Sequence, residues 1–560
     1  MSQIKTELEI IQEIQKLSSV DFHSFLANVS NEDEKLDLVV ARCATDLELF
    51  AEIFFPHYCT RAFNAFHRHY FSNVRYGERD YRRASAAPRG SAKSTLGTLI
   101  KPIHDACYGL EKFVLILSST APLANKKLKD IRSEIQSNSL LVAAYGVRFP
   151  KKKVGESEFS VITDKGRTYF QAIGRGAEVR GIRIGQYRPT KIIADDVEHS
   201  DEVYNEQVRA KTESWYFEDV TKSGDTGTNF EFVGTVLHKD SLLSKLLKNP
   251  AYKGVTFKAI ISWAEREDLW EDWRKIYRDI DSPTRIEDAN AFFDKNRTEM
   301  LKGTDVMWPE KESYLDLMKE MEEIGKRAFM KEKQNDPQGS EDAVFTKFHW
   351  YREGQQTING KLVDGFIMEE TGKFIPLEEC FCIGALDPAT GQEKQRKTGD
   401  FSVIIVAYKH VQTGRVFIHW ESTKKDAPTA FIKKVFDAYE KFKFEKFAIE
   451  TNLFRNILIP NIIIEQKERM KKTGNKITIS FYDVVNTENK HERIYRIEPK
   501  VTHGFISFNR ALSKEFMNMF EAFPNKDSHD DAPDCTEILW NLANNRYKAS
   551  ELNISAMNVV

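Results

Sequence analysis

Short runs of consecutive apolar residues alternate with stretches of helical periodicity along most of this chain, and the runs fall into two series. The first forty residues set Leu and Ile among Glu and Lys at helical spacing and predict amphipathic helices forming a cap over residues 1–50. From residue 51 to about 261 the strand candidates are FVLIL (Phe113 to Leu117), a hairpin from Phe159 to Gly174 turned at Asp164 to Gly166, KIIA (Lys191 to Ala194) and FEFVG (Phe230 to Gly234). Their alternation with helices predicts an α/β domain with a largely parallel sheet. Residues 263–333 become charged and helical, completing a domain at 51–335, and QNDPQGSEDA (Gln334 to Ala343) breaks the pattern. After a linker at 336–375, a second series begins at Phe381. It runs FCIGAL, FSVIIVAY, RVFIHW, a helix, KFAIE, a helix, ITISFYDV and GFISF, which predicts a second α/β domain at 376–548 and a loose tail at 549–560.

Composition narrows the setting without deciding the function. The chain has 560 residues, 41% of them hydrophobic and 30% charged, which suits a multidomain soluble protein. No apolar run reaches the length of a membrane span, so no membrane partner is expected. MSQIKTELEIIQEIQKL lacks the apolar centre of a secretion signal, and the expected location is the cytoplasm. Six cysteines without a CxxC pair predict reduced, mostly buried thiols. A net charge of −2 hides basic stretches such as RYGERDYRR (Arg75 to Arg83), a candidate surface for nucleic acid.

APRGSAKSTLGTL (Ala87 to Leu99) ends in the Lys-Ser-Thr of a phosphate-binding P-loop, with alanine where the pattern has its two glycines. Arg89, Gly90, Ser91, Ala92, Lys93, Ser94 and Thr95 are the candidate nucleotide-binding residues. Backbone N–H groups would cradle phosphates, Lys93 would reach the terminal ones, Ser94 would hold Mg²⁺, and Arg89 would stabilise charge at the γ-phosphate. The helical spacing of Leu96, Leu99, Ile100 and Ile103 places a helix N-terminus behind the loop. By itself such a segment reads as a small-residue turn. It gains a partner at KIIADDVE, where an apolar strand ends in adjacent acids: Asp195 to organise Mg²⁺ and Asp196 to polarise water. Glu198 is the alternative base, with helix capping as its ordinary role. Thr235, in the turn after FEFVG, suits sensing of the γ-phosphate. Arg175, Arg180, Arg183 and Arg188 lie among glycines and suit phosphate contacts or plain solvation.

The second series carries acids at its ends: Asp387 after the first strand, Glu450 after the fourth, and HDDAPD (His529 to Asp534) opening the last helix. Three strands, a helix, a strand, a helix, a strand and a helix make a ribonuclease-H-like order, in which these ends converge. Carboxylates suit two Mg²⁺ or Mn²⁺ ions about 4 Å apart for phosphodiester hydrolysis. Asp387, Glu450 and Asp531 are the expected catalytic ligands, Asp530 an additional one, and Asp400 and Asp534 supports. Lys490 and Arg493 fall on one helical face and suit a DNA phosphate, or else an exposed charged helix.

With these residues in view, the chain resembles the large terminase subunits of tailed bacteriophages, most closely those of short-tailed phages. The resemblance rests on APRGSAKST, RGIRIGQYRPTKIIADDVE, VGTVLHKDSLL, DPA at Asp387, IETN at Glu450 and HDDAPD, and spans residues 54 to 544. It implies an N-terminal additional-strand ATPase that drives double-stranded viral DNA into a procapsid and a C-terminal nuclease that cuts concatemers. It also implies ATP, Mg²⁺ at the motor site, a ring of usually five copies on the portal protein, a small terminase subunit as guide, and work in the host bacterial cytoplasm at the portal vertex. The upstream glutamine expected to bind adenine is absent from AFHRHYF (Ala65 to Phe71), so no adenine contact is assigned. Two rivals keep the same residues in other roles: a DNA-dependent ATPase or helicase-like repair or restriction enzyme with a nuclease domain, and a non-enzymatic portal adaptor. A helicase would need a second motor domain, and an adaptor would carry both carboxylate sets without using them.

Overall fold

Uninterrupted apolar runs become strands covered on both faces, and alternating runs become half-covered ones. The computed structural model describes residues 14, 17–150, 155–199, 202–337, 344–388, 401–425, 428–451, 455–474, 477, 479–486, 488–524 and 529–547. They belong to two units: Met1–Trp263 with Gly303–Lys319 and Lys326–Gln338, and Ala264–Lys302 with Glu320–Gly325 and Gly339–Val560.

The first unit holds seven strands: β1 (Arg82–Ala86), β2 (Phe113–Ser118), β3 (Glu158–Thr163), β4 (Gly166–Gly174), β5 (Lys191–Asp195), β6 (Asn229–Gly234) and β7 (Lys253–Thr256), plus a small pair, β8 (Ile260–Ser262) and β9 (Asp305–Val306). The main sheet is ordered β3-β4-β2-β5-β6-β1-β7, parallel except for the β3–β4 hairpin. β6 thus stands as an additional strand between β1, which feeds the P-loop, and β5, which ends in the acids. β1 escapes the apolar pattern because Arg82 and Arg83 open it. Arg82 lies over the rings of Phe230 and Tyr252, and Arg83 over Tyr70, so these two arginines of the basic stretch pack against aromatic rings inside the unit. The helices Ser19–Ala27, Glu32–Cys43 and Leu47–Phe54 are capped by Ser18, Asn31 and Asp46, and Phe22, Val39, Leu47 and Phe50 join the same core as the sheet.

The second unit has a nine-stranded mixed sheet of β10 (His349–Ile358), β11 (Lys361–Met368), β12 (Phe374–Pro376), β13 (Cys380–Asp387), β14 (Ser402–His410), β15 (Val416–Lys424), β16 (Lys446–Glu450), β17 (Ser480–Val484) and β18 (Ile506–Asn509). Within it, β15-β14-β13 are antiparallel neighbours and β13-β16-β17 parallel ones, which is the ribonuclease-H-like order. Both units are therefore α/β, as expected.

Two expected boundaries change. The segment read as a linker at 336–375 contains β10, β11 and most of β12, joined to the sheet through β18, because its strands carry alternating polar residues rather than an apolar run. The helical residues 264–302 belong to the second unit, not the first, since Asp281 pairs with Arg415 and Lys373, and Arg274 and Arg278 pair with Glu322. Asp400 and the tail at 549–560 lie outside the described residues. All six cysteines are free, four of them buried, and among the described residues no helix is long and apolar enough to cross a membrane.

Candidate nucleotide and metal sites

In the first unit the turn after β1 is shaped by two left-handed residues, Gly90 at φ +81° and Ala92 at φ +59°. Ala92 occupies a conformation that glycine accepts freely and alanine adopts at a cost of about 1–2 kcal/mol. The surrounding contacts hold it there. The Ser91 carbonyl accepts a 2.7 Å hydrogen bond from His67 Nε2, and the Gly90 carbonyl accepts one of 2.7 Å from Lys311 Nζ. His67 Nδ1 in turn accepts from the Asn64 N–H at 3.3 Å, so its two partners fix the neutral Nε2–H tautomer. Burial, against the pull of the Ser91 carbonyl, lowers the His67 pKa to about 4. Arg89 donates its backbone N–H to the Glu332 carbonyl at 2.9 Å and sets its guanidinium 3.4 Å from the Glu332 carboxylate.

Asp195, fully buried at the end of β5, faces this loop. Ser94 donates to its Oδ1 at 3.0 Å and Thr98 to its Oδ2 at 2.7 Å, while Lys127 Nζ lies 2.8 Å from Oδ2. A hydroxyl and a carboxylate this close are a donor set that could hold a hard divalent ion such as Mg²⁺. Asp196 follows at φ +50° and opens to solvent. Desolvation by the surrounding protein and then Asp195 raise its pKa, against Lys93, Lys127 and Arg89. Glu198 accepts from the N–H groups of Leu242 and Leu243 at 2.7 and 3.1 Å, which caps the helix Leu242–Lys248. Lys93 is buried in the loop, Thr95 begins the π-helix Thr95–Ile100, and Thr235 Oγ1 lies 3.4 Å from the Ala87 carbonyl. The structure thus gathers Arg89 to Thr95, Asp195, Asp196 and Thr235 around one loop. Arg175 and Arg180 are paired instead with Glu202 and Asp219. His67, Thr98, Lys127, Lys311 and Glu332 were not singled out by the sequence; only the i, i+4 spacing of Ser94 and Thr98 signalled a shared helical face.

In the second unit the ends of β13 and β16 and the helix Asp531–Ala543 bring Asp387, Glu450 and Asp534 together, with candidate ligand atoms all within 4.8 Å of one another. Asp387 Oδ2 is buried without a hydrogen bond, an orphaned acceptor that a cation would satisfy. Burial raises the Asp387 pKa well above the carboxylate range, opposed by Lys490 and reinforced by Asp534, Glu450 and Asp531. Asp534 is pushed up to about 7, by burial first, against Lys490 and Arg493. These are carboxylates crowded beyond what the protein itself neutralises, and a hard divalent ion fits them.

The third member of the set is Asp534, expected only as a support, in place of Asp531. Asp531 lies one helical turn earlier, and both its oxygens are taken: Oδ1 accepts from Lys490 at 2.8 Å and Oδ2 from the Phe401 N–H at 3.1 Å. Asp530 lies outside the set too, 2.8 Å from Lys490 and 3.3 Å from His491. Burial pushes the Asp530 carboxyl up, but His491 and Lys490 prevail and hold it at about 2. Lys490 and Arg493 do not form an exposed phosphate grip. Arg493 is buried, 2.9 Å from Asp534, and Lys490 stands among Asp530, Asp531, Asp534 and Asp387 at 2.8, 2.8, 3.7 and 4.0 Å.

No family model and no curated protein matches the chain. Among solved structures, it is similar to the large terminase from a thermophilic bacteriophage in complex with ADP, at 10% identity and a TM-score of 0.43 over 83% of this chain and 94% of that one. The HK97 bacteriophage large terminase aligns at 11% identity and a TM-score of 0.32 over 83% of this chain and 90% of that one. The large terminase nuclease from the thermophilic phage G20c aligns at 13% identity and a TM-score of 0.24, covering 37% of this chain and all of that one, 100%.

Proposed function

We propose that the chain is a phage large terminase: an ATP-driven motor that moves double-stranded viral DNA into a procapsid, joined to a metal-dependent endonuclease that cuts concatemers. The observation that carries this reading is the pairing in one chain of a P-loop whose Ser94 meets Asp195 at 3.0 Å with an Asp387, Glu450 and Asp534 cluster on a ribonuclease-H-like sheet. At the first site Lys93 would hold the terminal phosphates, Ser94 and Asp195 would hold Mg²⁺, and Asp196 would orient water. At the second, Asp387, Glu450 and Asp534 would hold Mg²⁺ or Mn²⁺, which supplies charge stabilisation for a phosphodiester displacement. Lys490 would keep Asp531 and Asp530 in place beside them.

Portal protein, a small terminase subunit, a ring of copies and the bacterial cytoplasm belong to this proposal through the sequence resemblance. The test is to assay the purified chain for DNA-stimulated ATP hydrolysis and Mn²⁺-dependent plasmid cleavage side by side. Both activities are expected. Strand separation of a duplex would point to the helicase-like rival, and the lack of ATP hydrolysis with DNA and portal present would point to the adaptor.

A further inference from the structure

The helix Ala121–Ser137 carries cations on two faces. On its inner side Lys127 Nζ contacts Asp195 twice, at 2.8 Å from Oδ2 and 2.7 Å from the backbone carbonyl. Lys126, Lys129 and Arg132 follow one another at three-residue spacing on the other side, Lys129 and Arg132 being turned about 160° and 140° from Lys127. Lys126 and Lys129 are exposed and Arg132 half-buried, and among the described residues none of the three enters an ion pair or hydrogen bond. They line a cleft of about 520 Å³ whose other residues include Asn125, Glu156, Glu158 and Phe159. Without a hydrogen-bond or ion-pair partner among the described residues, the three side chains keep their donors free for a ligand along one side of the cleft.

We propose that this face binds the phosphodiester backbone of duplex DNA, and that Lys127 ties the grip to the nucleotide site. From Lys126 to Arg132 the helix rises about 9 Å, the axial length over which one strand of a duplex carries about three phosphates at about 3.4 Å each. Glu156 and Glu158 line the same cleft and favour an occupant whose anions run along the helix side. An acidic protein is disfavoured, since it would present scattered carboxylates rather than a regular line. The same helix meets the buried acid that would organise Mg²⁺, so a cation arriving at Asp195 competes with Lys127 and bears on the position of the outer face. The proposal rests on the DNA-handling reading above and names the surface that does the handling.

The test measures binding of a short labelled duplex to the full chain by fluorescence anisotropy across a salt series. Removing Lys126, Lys129 and Arg132 together (K126Q, K129Q, R132Q) should weaken binding at least about tenfold and flatten the slope of log affinity against log salt by about 2 to 3. Removing three exposed cations elsewhere in the same unit (R167Q, K239Q, K253Q) should leave the slope within about one unit of wild type. Binding of an ATP analogue and the melting temperature should be those of wild type for the first triple variant, which shows that the fold is intact. In a second arm, Mg²⁺ with the analogue should shift duplex affinity in the wild type and not in Lys127→Met. Equal salt slopes for wild type and the first variant overturn the proposal and leave the terminase reading standing. Absence of duplex binding by the wild type overturns both. Loss of retention on polyglutamate without loss of duplex binding would make the surface a protein dock and overturn it as well.

Discussion

The two carboxylate sites solve opposite electrostatic problems. Asp195 is fully buried yet satisfied: two hydroxyls and an ammonium take its oxygens, so one charge is met by the protein's own groups. Asp387, Glu450 and Asp534 crowd within 4.8 Å, one buried oxygen of Asp387 has no hydrogen bond, and burial raises the pKa of Asp387 and Asp534. The first site is organised by the protein alone, whereas the second would need a cation to relieve it. Hydroxyl-rich sites of the first kind suit a ligand that must come and go with each turnover, and acid-rich sites suit retained metal.

The largest effects should separate the two. Lys93→Ala is expected to lower ATP turnover by at least about 100-fold and leave Mn²⁺-dependent plasmid cleavage within about twofold, and Asp387→Ala to do the reverse. Loss of both activities in either folded variant would break the comparison. Next in size, Asp534→Asn should lose Mn²⁺ binding by titration calorimetry and cleavage by about 100-fold. Asp531→Asn, which only disturbs Lys490 and the Phe401 N–H, should cost about tenfold in cleavage with Mn²⁺ still bound. The reverse order would return Asp531 to the metal set.

Much of this arrangement is legible along the chain because strand ends announce themselves. β2, β5, β6, β13, β14 and β16 are apolar runs buried on both faces, and the acids that follow three of them mark both sites. β1 and β10 to β12 are hidden for a physical reason: arginines that pack on aromatic rings and strands with one wet face dilute the apolar signal. The choice between Asp531 and Asp534 is beyond a linear pattern, since both lie on the same face one turn apart and only the positions of Lys490 and Phe401 separate them. Lys127 and His67 are likewise invisible, because their partners, Asp195 and Ser91, are brought to them by the sheet.

Within the first site, Asp196 and Glu198 sharpen the contrast between a free acid and a committed one. Asp196→Asn should retain nucleotide and lose turnover by about 100-fold. Glu198→Gln should keep most turnover and cost about 0.5–2 kcal/mol in unfolding, the range for a weakened helix cap. His67 adds a pH signature. Its pKa is depressed to about 4, so the unfolded chain binds the extra proton first. The stability due to neutral His67 is present above about pH 6.5 and is lost as pH falls towards 4, by about 3 kcal/mol in all. His67→Gln should flatten that part of a melting-temperature profile in full-length protein, and an unchanged profile would remove His67 as the cause.

The smallest expected effect tests whether the first site is held ready by strain. Ala92 sits at φ +59° where glycine would rest without penalty, and its neighbours, through His67 and Lys311, keep the loop closed around that conformation. Ala92→Gly removes about 1–2 kcal/mol of left-handed strain, but glycine also loses about 0.5–1 kcal/mol more chain entropy on folding. The net gain is about 0.5 to 1 kcal/mol, or about 1–2 °C in the melting of the unit that contains it. Ligand affinity should move the other way by about twofold, since a loop freed at this position is less confined to the phosphate-ready shape. A variant that melts lower than wild type would mean that the loop needs the Ala92 methyl for packing, and the site would then be organised by contacts rather than by a strained turn.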